Sequence, residues 1–223
     1  MSGVARVFSL VLLGLVVMVG AARANDTAPT GAGYAPQGDV RLVRVGTRGY
    51  AVPAALIFGP VDNGLVQDEI LIAGLLPGLT PRPSEPAADA AIDRRLLQVT
   101  LSSDPQGSLA QALRGAIALQ GEPLHRGAMF GLQVFGFETT AEGVLPQEVF
   151  VDGPVERPRS YLLCRPADWT DAGCTQWFDR DGLRVHLSWP RARLADWRMI
   201  GRTVIDRLDG FAKDFARLAA ATR

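Results

Sequence analysis

The stretch that decides the fold runs from residue 183 to residue 220 and reads LRVHLSWPRARLADWRMIGRTVIDRLDGFAKDFARLAA. Its first seven residues alternate between apolar and polar side chains, which is typical of a strand with one buried face. From Trp197 to Leu218 the apolar residues recur every three or four positions, which predicts one amphipathic helix over residues 195–220. This apolar stripe is typical of a helix packed on a sheet, and a partner-binding coiled coil is the alternative.

Charged side chains flank the apolar stripe of this predicted helix. Arg202 and Asp206 are four residues apart, and so are Asp209 and Lys213. Side chains at this spacing meet on the surface of a helix. We therefore expect two ion pairs between successive turns.

Shorter apolar or alternating runs precede this stretch and predict further strands. They cover residues 41–45, 50–52, 69–76, 97–101, 132–137, 148–151, 160–164 and 175–178. One shorter internal helix is expected from Leu109 to Leu119, with Ser108 as its N-cap. Because few of the strands alternate with helices, we expect an α+β fold. Its sheet is largely antiparallel, and the long C-terminal helix packs on it.

The first 24 residues predict a secretory signal peptide. Arg6 precedes an apolar run from Val7 to Val19, and Ala22-Arg23-Ala24 forms a small-residue cleavage site. We expect cleavage after Ala24; an uncleaved membrane anchor is the alternative, although the run is shorter than the ~20 residues of a spanning helix. Residues 25–38 contain mainly Gly, Ala, Pro and Thr and predict a flexible lead-in. Residues 39–223 are then expected to form a single domain.

Cys164 and Cys174 are the only two cysteines, and both follow the predicted cleavage site. An even number of cysteines in an exported chain indicates a disulfide. A zinc site would need further ligands at metal-binding spacing, and a redox pair would favour Cys-x-x-Cys. We therefore predict a structural Cys164–Cys174 disulfide.

The charge of the chain argues against nucleic-acid binding. It has 23 basic and 23 acidic residues, a formal net charge of zero. Cleavage after Ala24 would remove Arg6 and Arg23 and no acidic residue, so the net charge would become −2. Broad binding to nucleic acid needs a basic surface.

No segment after the predicted signal peptide approaches membrane-spanning length, so we expect a mature chain without a membrane span, located in the periplasm.

Familiar catalytic motifs are missing from the sequence. It contains no Gly-x-Ser-x-Gly, no phosphate-binding loop, no Gly-x-Gly-x-x-Gly and no His-Glu-x-x-His. A general base could come only from His125, in an expected loop, or His186, on the polar face of an expected strand. Residues 179–182 resemble part of a calcium loop, but Asp-Gly between two strands predicts a hairpin turn. We expect no cofactor and no metal. An acid pair for hydrolysis stays an alternative, with its two residues unassigned among the 23 acidic ones.

Residues 157–198 have the most unusual composition. They contain all four tryptophans, both cysteines and eight arginines. Trp and Arg are enriched at the energetic centres of protein interfaces. Trp169 lies inside the expected disulfide loop, with Arg165 and Asp168 near it in sequence. We therefore predict that Arg165, Asp168 and Trp169 form a contact surface. The alternative is a structural role for all four tryptophans, in which Trp169 covers the disulfide and the core contains Trp177, Trp189 and Trp197.

Four short motifs spread over the chain carry a resemblance to other proteins. They are residues 50–53 (YAVP), 75–79 (LLPGL), the Cys164–Cys174 pair, and 194–200 (LADWRMI). In these the chain resembles a group of small exported bacterial proteins without an agreed activity. Some proteins of similar layout look like periplasmic immunity proteins, which neutralise toxins delivered between bacteria. The resemblance implies binding to a protein and assigns a role to no individual residue.

The sequence therefore favours an exported, soluble periplasmic protein that binds a protein or envelope component without catalysis. Two alternatives stay open. One is an envelope hydrolase that uses an acid pair or a site centred on His186. The other is an envelope component anchored by an uncleaved N-terminal segment.

Overall fold

The structure is a computed structural model and describes residues 39–60, 66–83, 93–137 and 144–221. The predicted signal peptide, residues 1–24, and the predicted lead-in, residues 25–38, lie outside these ranges. Both stay predictions, and so does the membrane-anchor alternative.

The described part of the chain contains more strand than helix. The strands are β1 (Val40–Val45), β2 (Arg48–Pro53), β3 (Val66–Gln67), β4 (Glu69–Leu75), β5 (Leu96–Ser102), β6 (Pro123–Met129), β7 (Leu132–Phe137), β8 (Glu148–Asp152), β9 (Ser160–Cys164), β10 (Gly173–Arg180) and β11 (Leu183–Pro190). The α-helices are α1 (Leu109–Gln120) and α2 (Trp197–Ala221), and short 3-10 helices cover Ala54–Leu56 and Arg191–Asp196.

Eight of these strands form one antiparallel sheet. Their order is β4-β5-β11-β10-β9-β8-β7-β6, and every neighbouring pair runs antiparallel. A separate three-stranded sheet has the order β2-β1-β3, in which β1 and β3 run parallel. The predicted α+β class with a largely antiparallel sheet is confirmed. The division into two sheets was not predicted, because alternation shows which residues are buried but not which strands pair.

The large sheet is covered on both faces, and successive residues of its central strands belong to different cores. Leu162 of β9 lies in the main core, which includes the three-stranded sheet and the apolar stripe of α2. Its neighbours Tyr161 and Leu163 belong to a second cluster that packs against α1. This alternation follows from the period of two along a strand. From Trp197 to Phe211 the stripe of α2 is therefore core, as the sequence favoured over a coiled coil, whereas Leu218 beyond it is 37% exposed.

Local signals in the sequence account for the ends of several elements. The Ser108 hydroxyl accepts a hydrogen bond from the Gln111 backbone N–H at 3.3 Å, and the Gln111 side chain accepts one from the Ser108 N–H at 2.7 Å. This is a capping box, so the predicted N-cap is confirmed. Asp181 and Gly182 join β10 to β11 with φ values of 53° and 80°. The predicted hairpin turn is therefore present, since positive φ at both positions is typical of such a turn.

Two local predictions are wrong. The segment that contains His125 was expected to be a loop, but it forms β6, the edge strand of the large sheet. It is exposed along most of its length and has an irregular register between His125 and Ala128, so it shows no apolar alternation. The two predicted ion pairs of the C-terminal helix, Arg202–Asp206 and Asp209–Lys213, are also not formed among the described residues. Asp209 instead accepts hydrogen bonds from Arg180 of β10 at 2.6 and 2.8 Å.

Candidate contact surface at the disulfide loop

The predicted disulfide is formed. Cys164, at the end of β9, lies opposite Cys174 of β10, and an S–S bond joins them. Both cysteines are almost completely buried. The disulfide closes a loop over residues 165–173 and fixes both of its ends on neighbouring strands.

Backbone hydrogen bonds make this loop compact. The Arg165 N–H donates to the Gly173 carbonyl at 3.0 Å, which continues the pairing of β9 with β10 beyond the cysteines. Within the loop, the Trp169 N–H donates to the Pro166 carbonyl at 3.3 Å, and the Ala172 N–H donates to the Trp169 carbonyl at 3.2 Å. The loop thus consists of consecutive turns, and the position of Trp169 is set by bonds on both sides.

Arg191, in the 3-10 helix after β11, anchors the loop from outside. Its backbone N–H donates to the Ala172 carbonyl at 2.9 Å, and its guanidinium donates to the Arg165 carbonyl and to the Glu148 carboxylate. The guanidinium also lies 5.8 Å from the ring centroid of Phe150. Sequence reasoning missed Arg191, because Arg165 and Glu148 lie 26 and 43 residues away along the chain.

The three predicted contact residues lie on this anchored loop. Trp169 is 36% exposed, a high value for so large an aromatic side chain. The Arg165 guanidinium lies 6.0 Å from the Trp169 ring centroid, at the outer limit of a cation–π contact. Asp168 is exposed and forms no hydrogen bond or ion pair with any described residue. Arg165 and Trp169 therefore lie together, and Asp168 adds a free carboxylate next to them.

The other tryptophans are placed largely as expected. Trp189 and Trp197 are almost fully buried in the main core. Trp177 is partly buried and packs against the second cluster, where its ring stacks on that of Tyr161 at 5.1 Å. Burial raises the pKa of Tyr161 to about 12, so this phenol stays neutral at physiological pH.

A pocket of about 780 Å³ lies beside the loop, on the face of the large sheet that carries α1. Its volume falls within the range of about 300–1,000 Å³ that is usual for ligand sites. Hydroxyl groups of Thr175 and Ser188, 2.9 Å apart, lie on its floor. Asp93 and Asp171 also line it. The two carboxylates of a hydrolase must face the same pocket. The hydrolase alternative therefore stays a prediction, with Asp93 and Asp171 as its candidate acid pair.

The two histidines do not form a catalytic group within the described part of the chain. His186 of β11 is half-buried, and its ring meets Trp177 edge-on at 5.9 Å, without a hydrogen bond. Burial lowers the pKa of His186, and the charge of Glu69 opposes this shift. His125 is exposed on β6 and lies edge-on to Phe135 at 5.3 Å. A catalytic base is normally hydrogen-bonded to a nucleophile and oriented by a third group, and neither partner is present here.

The described residues show neither a metal-binding cluster nor a membrane-spanning helix. They contain no group of three or more His, Cys, Asp or Glu side chains placed to hold a metal ion. None of the helices in these ranges combines the length and the apolar composition required to cross a membrane.

Comparison with known proteins gives similarities in fold. No protein-family model matches the chain, and neither does any curated sequence. The fold is similar to that of Smlt3025, an immunity protein of the Stenotrophomonas maltophilia type IV secretion system. The TM-score is 0.56 at 16% identity, over 75% of this chain and 90% of that one. The iron-regulated outer membrane lipoprotein FrpD of Neisseria meningitidis is also similar, with a TM-score of 0.50 at 9% identity over 79% and 93% of the chains. The predicted resemblance to envelope proteins of immunity-like layout is therefore confirmed at the level of the fold.

Proposed function

We propose that this chain is an exported periplasmic protein that binds a protein partner without catalysis, in the manner of an immunity protein. The observation that carries the proposal is Trp169, an exposed tryptophan held on a loop that is anchored at both ends. The disulfide, the predicted signal peptide and the likeness in fold to an immunity protein support the same conclusion.

The anchoring of the loop matters for binding. A flexible loop loses conformational freedom when it binds, and that loss opposes association. Here the disulfide and the hydrogen bonds of Arg191 fix the loop before any partner arrives. Trp169 can then bury its exposed surface in a partner, and Arg165 and Asp168 beside it supply a positive and a negative charge for specificity.

The proposal predicts that Trp169 is needed for protection from a toxin of the strain that carries the gene. The gene is deleted, and the deletion strain is grown in contact with its parent. We expect the deletion strain to be killed or outcompeted, because it lacks the inhibitor of a toxin that the parent delivers. Wild-type protein restores survival, whereas Trp169→Ala does not, since its loop loses the aromatic anchor.

Phe58→Ala is the matched control for this experiment. Phe58 is another exposed aromatic residue, 55% accessible, and lies after the first 3-10 helix. This variant is expected to protect like wild type. The proposal fails if the deletion strain competes equally with its parent. If the Trp169→Ala protein is present in the periplasm at the wild-type amount and still protects, the loop is not part of the binding surface.

Two further experiments test the hydrolase and the membrane-anchor alternatives. Loss of protection by Asp93→Asn with Asp171→Asn, but not by Trp169→Ala, would favour the hydrolase. N-terminal sequencing of the exported protein should begin at Asn25, as cleavage after Ala24 requires. A start at Met1 would favour the anchored alternative.

A further inference from the structure

A second groove lies on the opposite face of the large sheet from the pocket beside the loop. Its volume is about 580 Å³, and it lies between α2 and the strands β8, β9 and β10. Ser160 and Gln176 give it a polar floor beside the ring of Phe178, and Trp197 and Gly201 of α2 form its wall. The groove thus combines polar and aromatic surface within the size range of ligand sites.

Two arginines of α2 line this groove without a carboxylate partner in the described ranges. Arg202 makes no hydrogen bond or ion pair with any described residue, and the expected pair with Asp206 is not formed. Arg198 also lines the groove, and its guanidinium lies 4.9 Å from the ring centroid of Trp197 and next to Gly131 of the β6–β7 turn. Both guanidinium groups therefore have donors available for an anion.

The third arginine of the groove is already neutralised. Arg159 donates to both carboxylate oxygens of Asp152, at 3.0 and 2.5 Å. This ion pair lies at one end of the groove, and its two charges cancel. Asp179 also lines the groove, and its carboxylate is paired with an arginine of β11. The unbalanced positive charge of the groove thus belongs to Arg198 and Arg202.

The floor contains a buried acceptor that lacks a donor. Gln176 is 3% exposed, and its side-chain amide donates to the Ser160 hydroxyl at 3.2 Å. Its Oε1 has no hydrogen-bond partner among the described residues. A Cβ built on Gly201 would lie 3.6 Å from this amide, so the glycine leaves room where the helix crosses it. Buried polar groups are usually hydrogen-bonded, but this oxygen has less than 1 Å² of accessible surface and lies under α2. It therefore makes the floor polar without offering a contact to a ligand in the groove.

We propose that this groove binds an acidic segment of a protein partner. Side-chain carboxylates of the segment pair with Arg198 and Arg202, because the planar guanidinium matches a carboxylate with two parallel hydrogen bonds. The floor and wall of the groove supply only a small contact area, because Ser160, Gln176 and Phe178 are each less than 10% exposed. The two arginines therefore carry most of the binding. This goes beyond the proposed function, because it assigns a second surface and a chemistry to the partner without using the Trp169 loop.

The test is an NMR titration of the isotopically labelled mature protein with a defined probe. The probe is the peptide acetyl-Gly-Ser-Glu-Glu-Ser-Gly-amide, and its counterpart carries Gln in place of Glu. We expect the acidic peptide to shift the signals of Gly201, the Gln176 side-chain amide and the Arg198 and Arg202 Nε–H groups. The affinity of the Gln peptide should be lower by at least about tenfold. Added salt should lower the affinity of the acidic peptide.

Charge variants show whether the two arginines carry the binding. Arg198→Gln with Arg202→Gln should weaken the acidic peptide at least about tenfold. The matched control is Arg114→Gln with Arg217→Gln, which removes the same charge from exposed positions of α1 and α2 outside the groove. Arg202→Gln alone removes no hydrogen bond or ion pair to a described residue, so we expect it to fold like wild type, and it should also weaken binding.

Several outcomes would overturn the groove proposal. They are equal binding of both peptides, shifts that cluster away from the groove, equal losses for the two double variants, or no shift at millimolar peptide. None of these outcomes bears on the competition experiment with Trp169→Ala, so the two proposals can fail separately.

Discussion

At the scale of single residues, Arg191 joins parts of the molecule that lie far apart along the chain. Its guanidinium contacts the loop at Arg165, the start of β8 at Glu148 and the ring of Phe150. Its side chain is 13% exposed and that of Glu148 is 25% exposed, so water competes weakly for their ion pair. One side chain thus stabilises both the large sheet and the candidate contact loop.

Arg191→Met should therefore lower the free energy of unfolding by about 1–3 kcal/mol, because it leaves the Glu148 carboxylate and the Arg165 carbonyl unpaired. Denaturant unfolding measures the change. Arg217→Met is the control, because the Arg217–Asp214 pair is exposed and such pairs contribute about 0–1 kcal/mol. An equal effect of both variants would contradict the anchoring role of Arg191.

A contact between two side chains could be predicted from the sequence only where each residue had few possible partners. The disulfide could be predicted because the chain has only two cysteines. Arg191 could not, because any of the 23 acidic residues and every backbone carbonyl was a possible partner. The exposed position of Trp169 was expected from its place in the disulfide loop, and the structure supplies the hydrogen bonds that fix it.

At the scale of secondary-structure elements, the docking of α2 on the three-stranded sheet depends on a missing side chain. Gly49 of β2 pairs with Arg44 of β1, and the ring of Phe215 from α2 lies over both. A Cβ built on Gly49 would lie 2.2 Å from Cε1 of Phe215. The glycine therefore allows the helix to approach the sheet closely.

Two glycine substitutions should change stability in opposite directions. Gly49→Ala forces Phe215 away and should lower the free energy of unfolding by about 1–3 kcal/mol, as overpacking does. Gly210→Ala should raise it by about 1 kcal/mol, because Gly210 lies within α2 and a Cβ there would meet nothing within 4 Å. Thermal or denaturant unfolding measures both. The same sign for both variants would contradict this account of the helix contact.

The elements predicted best are those with a strongly one-sided environment. The bounds of β7 and β9 agree with the sequence reading, because apolar residues of these strands are buried. For β6 the reading failed, because an exposed edge strand needs no apolar period and Gly127 there suggested a turn. The alternation of apolar residues thus shows which side chains are buried. It identifies a strand only where one face of that strand is buried.

At the scale of the whole molecule, the large sheet separates two candidate binding surfaces. The Trp169 loop extends from the ends of β9 and β10 that carry the disulfide. The groove beside α2 uses the other end of β9, where Ser160 begins the strand. A protein partner that reached both would have to wrap around the edge of the molecule. Variants at the two surfaces should therefore act independently.

The stability of the whole molecule should fall as the pH is lowered through the titration of His186. Burial lowers the pKa of His186 in the folded protein, and the charge of Glu69 only partly opposes this. Below the ordinary histidine pKa of about 6.5, the unfolded chain binds a proton that the folded chain does not yet bind. The free energy of unfolding then decreases with falling pH and levels off below the folded pKa. Denaturant unfolding between about pH 8 and pH 5 measures this, and His186→Gln should lose less stability over that range than wild type. Equal losses in the two proteins would show that the burial of His186 does not contribute to the pH dependence.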